Sequence, residues 1–523
     1  MSPTAPPKAR RSHRSRTVHK PRGLLHPRVQ QVGPEHFGIV AIDCAKARSK
    51  WMLCDFYGKV LVPPTVVAHS QGHFAVAIAE VREAVSRHAV RDVVVAIERT
   101  GTYHLPVKRA FHAAGFECRV VHPLATKHFR QPAHPGNKTD DHDLSAIFLA
   151  TVNGFGLIEQ PLDPVWRQLR LLTRHRRDLV TKRSAICCQL REHWEAALPG
   201  LAACFNDFWM SPAALGIARF FSSPAAIAQA GVQGVRKALQ AAGQRFQEPT
   251  LERLLAWART APIPDPDGAV HHRIALALDD DRLKKTLEIR DLEREIAGLM
   301  VQTPYILLWS VTGIHVVSAA ELAAEMGPIQ HYANARAITG RAGLFPARYQ
   351  SDQVDQANGP LIRCANRRLR AALLMVADNL VKWNPHFRAL AERWQILRNG
   401  PCQTRVKAAS RFSRIAYHML AGREVFHHPC CRQRDYILEK LLAFHRDHQT
   451  PPAEVVSDLK TAVVQLPKLE YPAEADALTK RFHRDRPTGR RGPQPIGDIL
   501  VVVLAKLGVG TVKSMSSGDQ GPG

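Results

Sequence analysis

The sequence predicts an α/β protein: a mixed sheet in the first third, then long helices, then a smaller, mainly α domain. Two compact apolar runs, FGIVAID (37–43) and RDVVVAIE (91–98), read as buried strands, each ending in an acid. Helical stretches alternate with them, as in sheets carrying parallel strands. Further on, two long segments place leucines at helical spacing among many charges.

The chain of 523 residues holds 72 Lys and Arg against 46 Asp and Glu, a formal net charge of +26. A protein that basic meets a polyanion, nucleic acid by default. No apolar run is long enough to span a bilayer, and the basic N-terminus lacks the apolar core of a signal peptide. The ten cysteines are scattered. Cys187–Cys188 and Cys430–Cys431 are adjacent pairs without CxxC spacing, which argues against zinc and for free, buried thiols.

Residues 1–34 are rich in Pro, Arg and Ser, with no acid before Glu35, and are expected to form a disordered basic arm. After the first strand, KWMLCDF and KVLVPPTVV predict two more, with Gly58 at a hairpin-like turn. A helix is expected from Ser70 to about His88, another from about Tyr103 to Ala114, then the strand FECRVVH. The next helix starts in NKTDDHDLSAIFLA (137–150). There Asp140 and Asp143 sit three apart, on one face, and Thr139 suits the N-cap. Taken alone, this is more often an ordinary acidic helix start, favoured by the helix dipole.

The company upstream changes that reading. Polar work in such sheets is done at the carboxyl ends of strands, where Asp43 and Glu98 stand. If those strands are neighbours and the helix crosses their edge, four carboxylates meet. Such a cluster repels itself unless cations neutralise it, and oxygen-only ligands suit Mg²⁺ or Mn²⁺. Metal ions so held are a common device for phosphodiester chemistry.

Residues 159–302 predict a helical, coiled-coil region. Leu169, Leu172, Leu179, Val180, Ile186 and Leu190 stripe one basic helix that carries Arg174, Arg176 and Arg177. LKKTLEIRDLEREIAGLM ends the region as a second long helix, expected to pair with the first as an antiparallel stalk. From Thr303 to about residue 425 a smaller domain follows. WSVTGIHVV predicts a hairpin turning at Gly313, and a Gly/Pro-containing loop carries Ser351 ahead of Arg363, Arg367, Arg368 and Arg370. A loop serine beside arginines is a possible nucleophile on a phosphodiester, although such a residue is far more often just polar loop. The arginines of both regions, with Lys138, are candidate phosphate contacts. Residues 426–523 predict a C-terminal extension, partly disordered, with a helix around Tyr436 to His445.

GIVAIDCAK, VVVAIERTGTYH, KTDDHDLSAIFLA and GRAGLFPARYQS…NRRLRAALL together resemble the DEDD-type insertion-sequence transposases of the one-ten family. The resemblance covers roughly residues 37–160 and 303–395. It implies an RNase H-like (RuvC-like) domain over 35–158, a coiled-coil connection, and a transposase domain over 303–425. It places an acidic tetrad on Asp43, Glu98, Asp140 and Asp143, with Asp141 the competitor in the DDHD run, and a catalytic serine on Ser351. It implies DNA cut and rejoined through a serine–DNA link, a structured guide RNA, and a homo-oligomer, dimer or tetramer, whose different subunits supply acids and serine. It also implies a cytoplasmic, nucleoid-associated protein of bacterial type. Three positions depart from the family: Asp352 and His315 replace glycines, and Ala365 stands where a glycine usually precedes Asn366-Arg367.

Three rivals remain. A RuvC-like junction nuclease would hydrolyse with a metal-bound water and leave Ser351 idle. A sugar-kinase or actin-like ATPase would want glycine soon after the first aspartate, where this chain has Cys44-Ala45-Lys46. An inactive nucleic-acid-binding copy would have no need of four acids.

Overall fold

The computed structural model describes residues 21–484, apart from 133–134, 210, 242, 245–246, 352–353, 357–358 and 432–434. Two compact units divide at Pro161 and Leu162.

In the first unit, α1 (His26–Val32) precedes β1 (Phe37–Cys44), β2 (Arg48–Asp55) and β3 (Val60–Ala68). Then come α2 (Gln71–Arg87), β4 (Asp92–Glu98), α3 (His104–Ala113) and β5 (Glu117–Val121). The unit closes with α4 (Pro123–Arg130), α5 (Asp140–Val152) and the short β6 (Gly156–Leu157). The sheet order is β3-β2-β1-β4-β5-β6. β1, β4 and β5 run parallel, while β2, β3 and β6 are antiparallel to their neighbours.

β1 lies mid-sheet, and side chains alternate across a strand, so both of its faces must be apolar. Val40, Ile42 and Cys44 join Val95 and Ile97 of β4 in one core, shared with α2 and α3. Phe37, Ile39 and Ala41 join Val94 and Ala96 in the other, under Leu144 and Ile147 of α5.

Part of the expected basic arm is instead ordered. Leu25 and Val29 are buried in the second core, and Arg28 pairs with Asp92 at 2.5 Å and Glu117 at 2.8 Å. The backbone of Gly23 lies so close to Gly156 that an added Cβ would stand 2.2 Å from its carbonyl oxygen. Apolar residues within the basic text decide this; residues 1–20 lie outside the described residues.

The second unit opens on α6 (Pro164–Ala197), followed by α7 (Pro212–Phe220), α8 (Pro224–Ala241), α9 (Glu248–Thr260) and α10 (Gly268–Met300). α6 and α10 are antiparallel, since Arg176 meets Glu293 while His193 meets His271. The far end of this pair packs with α7, α8 and α9 in a core of its own. α11 (Val316–Met326) and α12 (Ala335–Ala342) lead to a hairpin of β7 (Tyr349–Ser351) and β8 (Val354–Gln356). α13 (Arg367–Trp383), α14 (Pro385–Ile396), α15 (Pro401–Gly422), α16 (Ile437–Asp447), α17 (Pro452–Gln465) and α18 (Glu470–Arg484) complete it.

One further expectation needs correction here. The Gly313 stretch is not a hairpin: a 3-10 turn, Pro304–Ser310, leads through Gly313 into α11. Its residues Tyr305 to Trp309 are wholly buried in the unit's main core, which favours a compact turn over a strand with an open edge. In the C-terminal extension a helix stands where one was expected, α16, and α17 and α18 follow it. Val455, Leu459 and Ala462 of α17 reach the same core, while residues 485–523 lie outside the described residues.

Among the described residues no helix is long and apolar enough to cross a membrane. All ten cysteines are unpaired. Cys44, Cys54, Cys118 and Cys204 are buried as expected, whereas Cys188, Cys364, Cys402 and Cys430 are exposed.

Candidate active site

Ile42 of β1 sits in register with Ile97 of β4, so Asp43 and Glu98 follow side by side at the carboxyl ends of parallel strands. By alternation they share the face of Ala41 and Ala96, which is the face α5 covers. Thr139 caps α5, its hydroxyl accepting from the backbone N–H of His142 at 3.3 Å. The first turn of α5 therefore brings Asp140 and Asp143 to the same end of the sheet. Asp143 is 4% exposed, while Asp140 is open to solvent. Asp141 pairs instead with Lys50 at 2.5 Å, the β2 residue opposite Asp43 in register.

The acids feel one another. Burial first, then the charges of Glu98, Asp143 and Asp140, push the Asp43 carboxyl up to about 6, against a weaker opposing pull from Lys138. Two cations answer Asp143: Arg130, at the end of α4, contacts Oδ1, and Lys138 Nζ stands 4.0 Å from Oδ2. The Thr100 hydroxyl donates to Glu98 at 3.3 Å.

Four hard carboxylates, one of them pushed up by burial and then by the charges of the others, suit a divalent ion such as Mg²⁺ or Mn²⁺. The donor chemistry fits, but the geometry is not preformed: among the described residues no three His, Cys, Asp or Glu side chains stand ready to hold an ion. Sequence reasoning missed Arg130 because it assigned no helix between the FECRVVH strand and Asp140. The text PLATKHFR, with Pro123 at a helix start, was the available signal.

In the second unit Ser351 ends β7, exposed, in register with Val354. Arg348 and Asp355 bridge the hairpin at 2.9 and 2.5 Å. Asp352 lies outside the described residues. His315 forms the capping box of α11 with Ser318, so it does structural work where the family carries glycine. Asn366 caps α13, accepting from the N–H groups of Arg368 and Leu369 at 3.1 Å, with Ala365 just ahead of it.

The candidate phosphate-binding arginines divide. Arg363, Arg367 and Arg368 are exposed around that cap, and Lys138 is exposed in the first unit. Arg370 instead donates to the carbonyls of Ala342, at 2.8 Å, and Ile362. Arg174 grips Glu325 at 2.8 and 3.1 Å. Arg176 bonds Glu293 at 2.6 Å and Glu321 at 3.3 Å, and Arg177 lies 3.6 Å from Glu321. Arg174, Arg176, Arg177 and Arg370 thus each meet a partner within the fold, while Arg174 and Arg177 stay partly exposed. Glutamates on α10 and α11, or bare carbonyls, need those guanidinium groups once buried.

A DEDD-type family model described as "Transposase" matches residues 40–199, and one described as "Transposase IS116/IS110/IS902 family" matches residues 306–392. The chain belongs to the IS110/IS116 family of DEDD transposases. The first match spans this transposase's acid cluster and α6; the second spans α11, Ser351 and α13. Residues 200–305 fall between them. The chain is also 26% identical over 343 residues to "Insertion element IS116 uncharacterized 44.8 kDa protein" of Streptomyces clavuligerus, covering 65% of this chain and 83% of that protein. Membership makes DNA the substrate of this transposase and accords with divalent metal use.

Proposed function

We propose that this transposase cuts and rejoins DNA with an RNase H-like domain, holding Mg²⁺ or Mn²⁺ on Asp43, Glu98, Asp140 and Asp143, and with Ser351 as nucleophile. The observation that carries the reading is that Asp43 and Glu98 follow side by side on parallel strands, where burial first and then the charges of Glu98, Asp143 and Asp140 push the Asp43 carboxyl up, a site short of positive charge. A bound divalent ion supplies that charge to the scissile phosphate's oxygens. The Ser351 oxygen forms a bond to phosphorus while the bond from phosphorus to the sugar oxygen breaks, and the proton given up by the Ser351 hydroxyl ends on the freed sugar oxygen. Reversal with another strand's hydroxyl reseals the DNA without ATP, because the serine link conserves the phosphodiester. Ser351 and the acids come from different subunits of a homo-oligomer, and a structured RNA encoded by the element guides the choice of DNA.

The test is denaturing electrophoresis of protein with labelled element-end DNA and Mg²⁺. Ser351→Ala should abolish both strand exchange and the covalent protein–DNA species while DNA binding persists. Asp43→Asn should abolish exchange as well. Cleavage by Ser351→Ala at the wild-type rate would hand the chemistry to a metal-bound water, as in a junction nuclease.

A further inference from the structure

Arg130 stands on one acid of the cluster, Asp143. Its helix is fixed to the site: Ala125 and Phe129 of α4 pack into the core that holds α5 against β1 and β4. Its side chain is 15% exposed and contacts Oδ1 of Asp143, whose own side chain is 5% exposed. Lys138, at 4.0 Å and 74% exposed, is the looser of the two cations on that carboxylate. The contact uses one guanidinium nitrogen, and the remaining N–H donors of Arg130 meet no acceptor among the described residues. A guanidinium offers five donors in a planar fork that matches a phosphate.

Resting on the metal reading above, we propose that Arg130 couples metal loading to nucleic-acid binding. In the free protein Arg130 holds Asp143 and competes with a cation for it, consistent with the lack of a preformed three-donor arrangement. When a strand enters, its phosphate takes the guanidinium, and Asp143 is released to complete the cation site. The advantage is chemical: metal-loaded acids are assembled only where a phosphodiester is present. By linkage, DNA must tighten the cation and the cation must tighten DNA by the same factor.

Mn²⁺ binding to the full chain, followed by electron paramagnetic resonance with and without a mixed-sequence DNA duplex, tests this. For wild type, DNA should tighten Mn²⁺ by about 5-fold or more. Arg130→Gln should bind Mn²⁺ more tightly than wild type without DNA, and should lose most of the gain with DNA. A merely structural ion pair predicts the opposite: unchanged or weaker Mn²⁺ binding and an unaltered response to DNA, which would overturn the proposal. If wild type takes no Mn²⁺ in either condition, the metal reading fails and the proposal with it. If Arg130→Gln does not melt cooperatively, Arg130→Lys decides. That variant keeps the charge without the fork, so a normal affinity without DNA and a reduced gain with it support coupling, while a full gain refutes it.

Discussion

Asp43 illustrates how one carboxyl reports on its site. Its pKa in the fold, about 6, lies above the ordinary carboxylate value. The folded protein therefore binds this proton more tightly than the unfolded chain does. The stability so contributed is complete below about pH 4 and is lost as pH rises through about 6. A divalent cation would restore it above that range. Mg²⁺ should thus raise the melting temperature at pH 7.5 and do little at pH 5; equal shifts at both would argue against a metal on these acids. Asp141 makes the complementary case. Its partner is the half-buried Lys50, outside the tetrad, so Asp141→Asn should leave strand exchange near wild type while Asp140→Asn and Asp143→Asn remove it. Adjacent positions with the same chemistry are separated only by which side of α5 they occupy.

Among the elements, α5 is set by a cap and a stripe. Thr139→Ala should cost about 1 kcal/mol of stability, read by denaturant melting, because it orphans the helix start. Leu144→Ala, in the core beneath the acids, should cost about 2–5 kcal/mol. Against these, the α6 arginines give a sharper contrast. Arg176 lies between Glu293 and Glu321, which are 12% and 8% exposed. Removing it leaves Glu293 with His448 and Glu321 with Arg177 at 3.6 Å, so Arg176→Ala should destabilise by about 1.5–3 kcal/mol. Arg363→Ala, at an exposed position, should stay within about 0.5 kcal/mol. A large stability loss at Arg363 with none at Arg176 would reverse the division drawn here.

Across the whole molecule, the net charge of +26 sets the partner class, yet formal charge overstates what is free to meet it. Several guanidinium groups are spent on buried glutamates. DNA affinity should therefore depend on the exposed set. If each contacts one phosphate, replacing Arg363, Arg367 and Arg368 with Gln should lower the slope of log affinity against log salt by about 0.9 per residue. Replacing Arg174 and Arg177 should change that slope little. Titrations across a salt series separate the two groups, and a slope loss confined to the α6 variants would contradict the assignment.

By itself the sequence determined the buried strands with their terminal acids, the capped helix with an Asp pair, the two long amphipathic helices and the family. These are local patterns, carried by alternation, capping chemistry and helical spacing, and they survive without knowledge of any neighbour. Only the tertiary structure decided that β1 and β4 are adjacent in register, which puts Asp43 beside Glu98. It alone revealed Arg130 on Asp143, and it alone showed that Arg174, Arg176 and Arg370, read as candidate phosphate contacts, have glutamate and carbonyl partners within the fold. The ordering of residues 21–34 and of α17 was hidden for a related reason. A few apolar side chains in polar or proline-rich text fold only when a distant core is there to receive them. Charge type can be read from a chain one residue at a time; which charges meet depends on contacts between residues far apart in it.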